Sequence, residues 1–176
     1  MKTEPAPKTI LETERLILRQ LSPDDAELIL ELLNEPSFLY YIGDRGVRTI
    51  EDARQYILNG PVASYERFGF GPYRVALREG DVPIGMCGLF KRDSLEDPDV
   101  GFAFLARFWA KGYAFESASA VMTYGREVLG LDRIVAVTAP DNEASIRVLG
   151  KLGLRFAGMV RLTGEDPESR LFTPDA

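Results

Sequence analysis

The chain has 176 residues, 45% of them hydrophobic and 27% charged, which is the composition of a soluble globular protein the size of one domain. Its formal net charge of −6 argues against a nucleic-acid-binding surface, which is normally basic. One cysteine and no histidine exclude an internal disulfide, a histidine-bearing zinc site and a Ser-His-Asp triad.

The N-terminal segment, residues 1–12, is polar, and we expect it to form a flexible tail before a single domain of residues 13–176. The segment lacks the apolar centre of a secretory signal, and no run of about 18 apolar residues predicts a membrane span. Cys87 lies in an apolar strand pattern, which favours a packed thiol and is compatible with a reducing compartment. We therefore expect a cytoplasmic protein that binds neither membranes nor nucleic acids.

The first half of the domain predicts a strand, two helices and a hairpin. "ERLILRQL", Glu14 to Leu21, alternates apolar and polar residues as a strand does. Ser22 is a suitable cap for the helix that follows, and Pro36 is expected to end it. Thr49 caps a second helix, and two strand patterns flank the turn "GD".

The second half continues with the strand "DVGFAFLAR", a corner "WAKGYAFE" and a long amphipathic helix. The short strand "RIVAVTA" precedes a helix for which Asp141 is the expected N-cap and Gly153 the C-terminal glycine. "LRFAGMVRL" and "SRLFTPD" predict two last strands. The order β-α-α-β-β-β-α-β-α-β-β predicts an α/β protein, a mixed sheet with helices packed on it.

The corner "WAKGYAFE" allows two interpretations. A helix beginning near Ala114 leaves its first N–H groups unpaired, with about half a positive charge at that end. Gly112 and Ala110 would let an anion approach these groups, and Lys111 adds a full charge, which together favour a phosphate or pyrophosphate cradle. The alternative is a tight turn in which the small residues serve packing alone.

Asn142 and Ser145 form a second polar feature, in the first turn of the shorter helix. They are three residues apart, so both side chains lie on one helix face and can hydrogen-bond a ligand. The alternative is local capping, for which both residue types are favoured.

In their order and spacing these segments resemble the GNAT superfamily of acyl-CoA-dependent N-acetyltransferases, and most closely its RimJ/RimL-like branch. The resemblance rests on "TERLILRQLSPDDAELILELLN", "PIGMCGL", "DVGFAFLARFWAKGYAFESASAVMTYG" and "APDNEASIRVLGKLGL". It implies an α/β (α+β) fold, with a mixed, mostly antiparallel central sheet of about seven strands and helices on both faces. Trp109 stands where the superfamily loop usually has a polar residue, a substitution common in this branch, and Ala110 stands where the branch generally has glycine. A positive φ at Ala110 would cost about 1 kcal/mol.

The resemblance also implies acetyl-CoA as cosubstrate, without a metal. Backbone groups of Phe102 and Phe104 on a splayed strand would pair with the pantetheine arm, and Asn142 would contact the same arm. The pyrophosphate would bind N–H groups of the loop residues Ala110, Lys111, Gly112, Tyr113, Ala114 and Phe115.

The implied reaction is direct attack of an amine on the acetyl thioester. Asp99 stands where the branch often has glutamate and would act as a base through water; the alternative is a strand-start residue in solvent. Several superfamily members protonate the departing thiolate with a tyrosine, but Leu149 occupies that position here. Ser145 is the substitute that the RimL-like pattern suggests.

The acceptor amine and the assembly stay open at this stage. The acceptor is either a protein N-terminal α-amine or a small amine such as an amino acid, polyamine or drug, and a homodimer is one option. A second hypothesis is a non-catalytic acyl-CoA-binding or regulatory domain of the same fold. A third is a phosphate-binding protein unrelated to coenzyme A.

Overall fold

The computed structural model describes residues 6–175, and within them it contains eight strands and six α-helices. The strands are β1 (Thr9–Glu12), β2 (Leu16–Gln20), β3 (Pro72–Leu77), β4 (Val82–Phe90), β5 (Asp99–Phe104), β6 (Ala136–Thr138), β7 (Arg155–Val160) and β8 (Ser169–Thr173). The helices are α1 (Ala26–Leu33), α2 (Pro36–Tyr41), α3 (Ile50–Ile57), α4 (Ala63–Phe68), α5 (Tyr113–Glu127) and α6 (Glu143–Lys151). None of the helices in this part of the chain is long and apolar enough to cross a bilayer.

The strands form two antiparallel sheets, ordered β1-β2-β3-β4-β5 and β6-β8-β7. A single parallel bridge between Asp99 and Val135 joins them, with Val100 N donating to Val135 O at 2.9 Å. No further pairing continues along β5 and β6 in the described residues, so the two strands diverge from this bridge. The predicted mixed, mostly antiparallel α/β architecture is confirmed, as a sheet of five strands and a sheet of three.

Helices cover both faces of the larger sheet. On one face α5 and α6 contribute Val121, Met122 and Leu149 to a core cluster with sheet residues such as Leu89. On the other face α1 and α3 pack around the Met86 side chain of β4. Apolar positions along β4 reach both clusters, as expected for a strand that is buried on its two sides.

The prediction of a flexible tail over residues 1–12 is wrong for its last four residues. Thr9–Glu12 form β1, which pairs with β2, although the sequence predicts a flexible tail over residues 1–12. The pairing satisfies backbone groups that a loose tail would leave to water. Residues 1–5 lie outside the described part of the chain.

Pro36 also plays a different role from the predicted one. Helix α1 ends at Leu33, and Pro36 begins α2 rather than only ending the helix before it. Proline suits the first position of a helix because its missing N–H has no intrahelical acceptor there and its φ is already helical. The predicted cap at Thr49 is confirmed: Thr49 Oγ1 accepts from Asp52 N at 3.0 Å. The hairpin of β3 and β4 is confirmed as well.

Candidate functional site

The free edge of β5 carries the first part of the site. Leu105 N donates to Ile84 O at 2.9 Å, so the odd-numbered residues at this end of β5 bond to β4. The even-numbered residues therefore turn their backbone N–H and C=O groups the other way. The Val100 N–H donates to the Val135 carbonyl, while the backbone N–H and C=O groups of Phe102 and Phe104 face the gap between the diverging strands. An extended ligand can pair with this edge as an added strand would.

The Phe104 carbonyl is already occupied from within the chain. Trp109 Nε1 donates to it at 2.8 Å, across a 3₁₀ turn formed by Ala106–Phe108. That turn also contacts α1, through the ion pair of Arg107 with Glu31. The end of β5 therefore leads into the next loop with a fixed geometry.

The loop after Trp109 has the backbone of an anion cradle. Ala110 has φ 60° and Gly112 has φ 83°, and α5 begins at the next residue. Glu116 N donates to Gly112 O at 3.0 Å, which is the first hydrogen bond of the helix. The four preceding N–H groups, of residues 112–115, consequently have no intrahelical acceptor. Left-handed backbone at alanine costs about 1–2 kcal/mol, so the structure holds this loop in a strained form.

Charged side chains surround this loop. Arg15 Nε donates to Glu116 Oε1 at 2.7 Å, and Arg15 Nη1 donates to the Lys111 carbonyl at 3.0 Å. Thr13 Oγ1 also donates to Glu116, at 2.5 Å. Partial burial opposes ionisation of Glu116, but the hydrogen bonds from Thr13 and Arg15 outweigh it and lower the pKa of this carboxyl. Lys111 itself is exposed, as expected for a residue that offers its charge to a ligand.

The short helix α6 is capped differently from the prediction. Asn142, not Asp141, is the N-cap, and its Oδ1 accepts from Ser145 N at 3.3 Å. Asp141 instead accepts a hydrogen bond from Tyr40 at 2.5 Å, so its carboxylate is engaged outside the helix. Capping uses the amide oxygen of Asn142 and leaves its NH₂ group for a ligand. Leu149 is 2% exposed and belongs to the core.

Asp99 lies at the start of β5, five residues and about 16 Å along the strand from Phe104. The alternative of a residue in solvent is wrong, since Asp99 is 1% exposed. Burial raises the pKa of its carboxyl, and Arg92, whose Nε lies 3.0 Å from Asp99 Oδ1, opposes the rise. A carboxyl of this kind holds a proton more readily than one at the surface.

Comparison with known proteins identifies the family. Residues 15–155 match the family model described as the acetyltransferase (GNAT) domain. The chain belongs to the GNAT acetyltransferase family. A relative from Bacillus subtilis, named as the uncharacterized N-acetyltransferase YoaA, is 36% identical over 154 residues, covering 86% of each chain.

Solved GNAT structures agree with this assignment. An acetyltransferase of the family from Bacillus anthracis has 27% identity and a TM-score of 0.77, covering 93% of this chain and 96% of that one. RimL, described as a ribosomal L7/L12 α-N-protein acetyltransferase in complex with coenzyme A, shares the fold with a TM-score of 0.80. Its identity is 17%, over 94% of this chain and 97% of that one. Membership of the GNAT superfamily, predicted from the sequence, is thereby confirmed, and the likeness to RimL shows that the two chains share a fold.

The GNAT domain of this chain has features that fit an acyl-CoA. The open edge of β5 suits the amide-bearing pantetheine arm, and the free N–H groups before α5 suit the pyrophosphate. Both lie on one continuous stretch, from Phe102 to Phe115. Cys87 is buried against Ser117, and burial raises the pKa of its thiol to about 12, so it packs and does not act as a nucleophile.

Arg15 and Glu116 are the site residues that the sequence did not single out. They are 101 positions apart, and neither belongs to a motif with chemistry of its own. The available signal was their opposite charge at the ends of two segments, "TER" and "AFE", that the fold brings together. Without a known contact, the sequence gives no reason to distinguish Arg15 or Glu116 from an ordinary surface charge.

Proposed function

We propose that this GNAT protein is an acetyl-CoA-dependent N-acetyltransferase that moves an acetyl group to a primary amine. The observation that carries the proposal is the continuity of the open β5 edge with the strained, N–H-lined loop before α5. One molecule with an amide-bearing arm and a pyrophosphate satisfies both features at once. Acetyl-CoA is such a molecule.

Binding would use backbone groups more than side chains. Phe102 would pair with the pantetheine arm through its N–H and C=O, and Phe104 through its N–H, because its carbonyl already bonds Trp109. The loop from Ala110 to Phe115 would hold the pyrophosphate, with Lys111 contributing a charge. The NH₂ group of Asn142 would donate a hydrogen bond to the arm.

The transfer itself is a direct displacement. The amine nitrogen attacks the thioester carbonyl, the C–N bond forms, the C–S bond breaks, and the amine proton leaves to a base. Asp99 is our candidate base, acting through water, since a carboxyl with a raised pKa accepts a proton more readily near neutral pH. A backbone N–H at the open β5 edge would polarise the carbonyl, and Ser145 would protonate the departing thiolate.

The acceptor we propose is cationic: a protein N-terminal α-amine or a small amine such as an amino acid, polyamine or drug. The formal net charge of −6 supports this class, because an acidic protein attracts cations. We place the reaction in the cytoplasm, with neither a nucleic acid nor a membrane as partner. A homodimer is compatible with this function and not required by it.

A second candidate function is acyl-CoA binding without catalysis. It is favoured by the position of Leu149 in the core, where several family members use a tyrosine, and by the pairing of Asp99 with Arg92. A domain of this kind would bind the same cofactor through the same loop.

Thiol release from acetyl-CoA, measured over peptides, amino acids, polyamines and aminoglycosides, separates the two functions when combined with thermal unfolding in coenzyme A. The proposal predicts stabilisation by coenzyme A and amine-dependent thiol release that Asp99→Asn reduces. Stabilisation without turnover on any amine favours the binding domain. No stabilisation contradicts both.

A further inference from the structure

Arg15 links three separate parts of the cofactor loop region. It follows β1 in the chain, its Nη1 donates to the carbonyl of Lys111, and its Nε donates to Glu116 in the first turn of α5. Its guanidinium also lies 4.5 Å from the ring centroid of Tyr113, the first residue of that helix. Arg15 therefore contacts the loop, the helix start and the helix's first turn at the same time.

The contact with the Lys111 carbonyl determines where the next N–H group points. The C=O of Lys111 and the N–H of Gly112 belong to one planar trans peptide, so they point in opposite directions. Holding the carbonyl toward Arg15 consequently turns the Gly112 N–H away from it. On the Arg15 side lies a groove of about 670 Å³ between β1 and α5, lined by Gly112 and Phe115 as well as by Arg15, Glu116 and Glu127. The Gly112 N–H thus points away from the Arg15 guanidinium.

Charge alone does not account for this arrangement. The Glu116 carboxylate lies in the first turn of α5, where it would repel a bound anion, and Arg15 neutralises it. The pair adds no net charge to the cradle. Lys111, whose side chain is exposed, supplies the positive charge there instead.

We propose that Arg15 is a positioning residue of the pyrophosphate loop, which together with Glu116 holds the Lys111 carbonyl and keeps the loop N–H groups open to the cofactor. The inference rests on the proposed acetyl-CoA binding. It assigns Arg15 no contact with the reacting atoms. It also explains why Glu116, an acid, stands beside an anion site.

Calorimetric titration of coenzyme A into Arg15→Gln, Arg15→Lys, Glu116→Gln and the double variant Arg15→Gln/Glu116→Gln tests this role. The proposal predicts that each single variant weakens binding about tenfold, since each loses a charge-assisted hydrogen bond, and that the double variant is no weaker than Arg15→Gln. Arg54→Gln is the matched control. Arg54 is a similarly exposed arginine, paired with Glu51 at 3.6 Å on α3, and its loss leaves binding unchanged.

A direct charge effect on the phosphates has a different signature. In that case Glu116→Gln tightens binding by removing a repelling carboxylate, and Arg15→Lys keeps wild-type affinity by retaining the charge. Either result overturns the positioning role.

Backbone ¹⁵N relaxation of residues 110–115, recorded without ligand, tests the same inference independently of cofactor binding. Arg15→Gln should raise the fast mobility of the loop, while Arg54→Gln leaves it unchanged. Equal mobility in wild type and Arg15→Gln contradicts the proposal. If wild type fails to bind coenzyme A, the proposed function is wrong, and the relaxation result still decides whether Arg15 orders the loop.

Discussion

The indole Nε1 of Trp109 donates a hydrogen bond of 2.8 Å to the carbonyl oxygen of Phe104, across the turn that ends β5. This contact gives Trp109 a structural role, because it joins the start of the loop to the end of β5. It also divides the backbone groups of Phe104: the carbonyl is used within the chain, and the N–H stays available at the strand edge. The cofactor loop therefore starts from a fixed point.

Trp109 makes the loop observable by fluorescence. It is the single tryptophan of the chain and is 45% exposed, so its emission reports on this loop alone. Coenzyme A binding should cover the indole and change both the intensity and the wavelength of its emission. A titration that shows binding by calorimetry and a constant emission spectrum would place the cofactor away from Trp109.

Ala110→Gly should stabilise the folded protein. Because Ala110 has φ 60°, glycine relieves a left-handed strain and should raise the free energy of unfolding by about 0.5–1 kcal/mol, after the extra entropy of the unfolded glycine is subtracted. Ala114→Gly is the matched control, since Ala114 lies in regular helix and the same change should lower the free energy by a similar amount. Urea unfolding measures both, and a loss of stability in Ala110→Gly would contradict the strain.

Asp99→Asn should change how stability depends on pH. The folded pKa of Asp99 is raised above its ordinary 3.8, so its contribution is fully present below that value and is lost as pH rises through the folded pKa. Asparagine does not ionise. The stability of the variant relative to wild type should therefore rise as the pH increases from about 4 through the folded pKa of Asp99. Thermal unfolding over a series of pH values measures the difference in stability between Asp99→Asn and wild type. A difference that does not change with pH would contradict the raised pKa.

Cys87 should be unreactive in the folded protein. The pKa of its thiol, raised to about 12 by burial, leaves almost no thiolate at pH 8. A colorimetric thiol reagent should therefore detect no reactive thiol in native protein and one in guanidinium. Rapid reaction of the native protein would show that the strand around Cys87 opens readily.

Local signals predicted local structure well. The capping box at Thr49 and the hairpin turn "GD" involve residues close in the chain, and both were confirmed. The family motif placed the loop of residues 109–114 between a strand and a helix, where the structure has it. In each case the interactions that decide the geometry lie within a few residues of one another.

Features that depend on distant partners could not be predicted. Strand β1 is only four residues long and is stabilised by its pairing with β2, so "TILE" shows no independent strand pattern. The sequence predicts Asp141 as the N-cap of α6, where the structure has Asn142, because both residue types are good caps; Tyr40, far away in the chain, donates a hydrogen bond to Asp141. The contact of Arg15 with Glu116 is of the same kind.

Calorimetric titration of coenzyme A into wild type, Gly112→Glu and Gly150→Glu tests most directly whether the loop before α5 binds the pyrophosphate. Gly150 is the control because a side chain there meets no atom within 4 Å, and its φ is not left-handed. We predict that wild type and Gly150→Glu bind alike. Gly112→Glu should lose at least about 100-fold in affinity, because a side chain at this left-handed residue meets Arg15 Nη2 at 3.3 Å, displaces the loop N–H groups and adds a negative charge beside the cradle. Wild-type affinity in a folded Gly112→Glu protein would contradict the assignment.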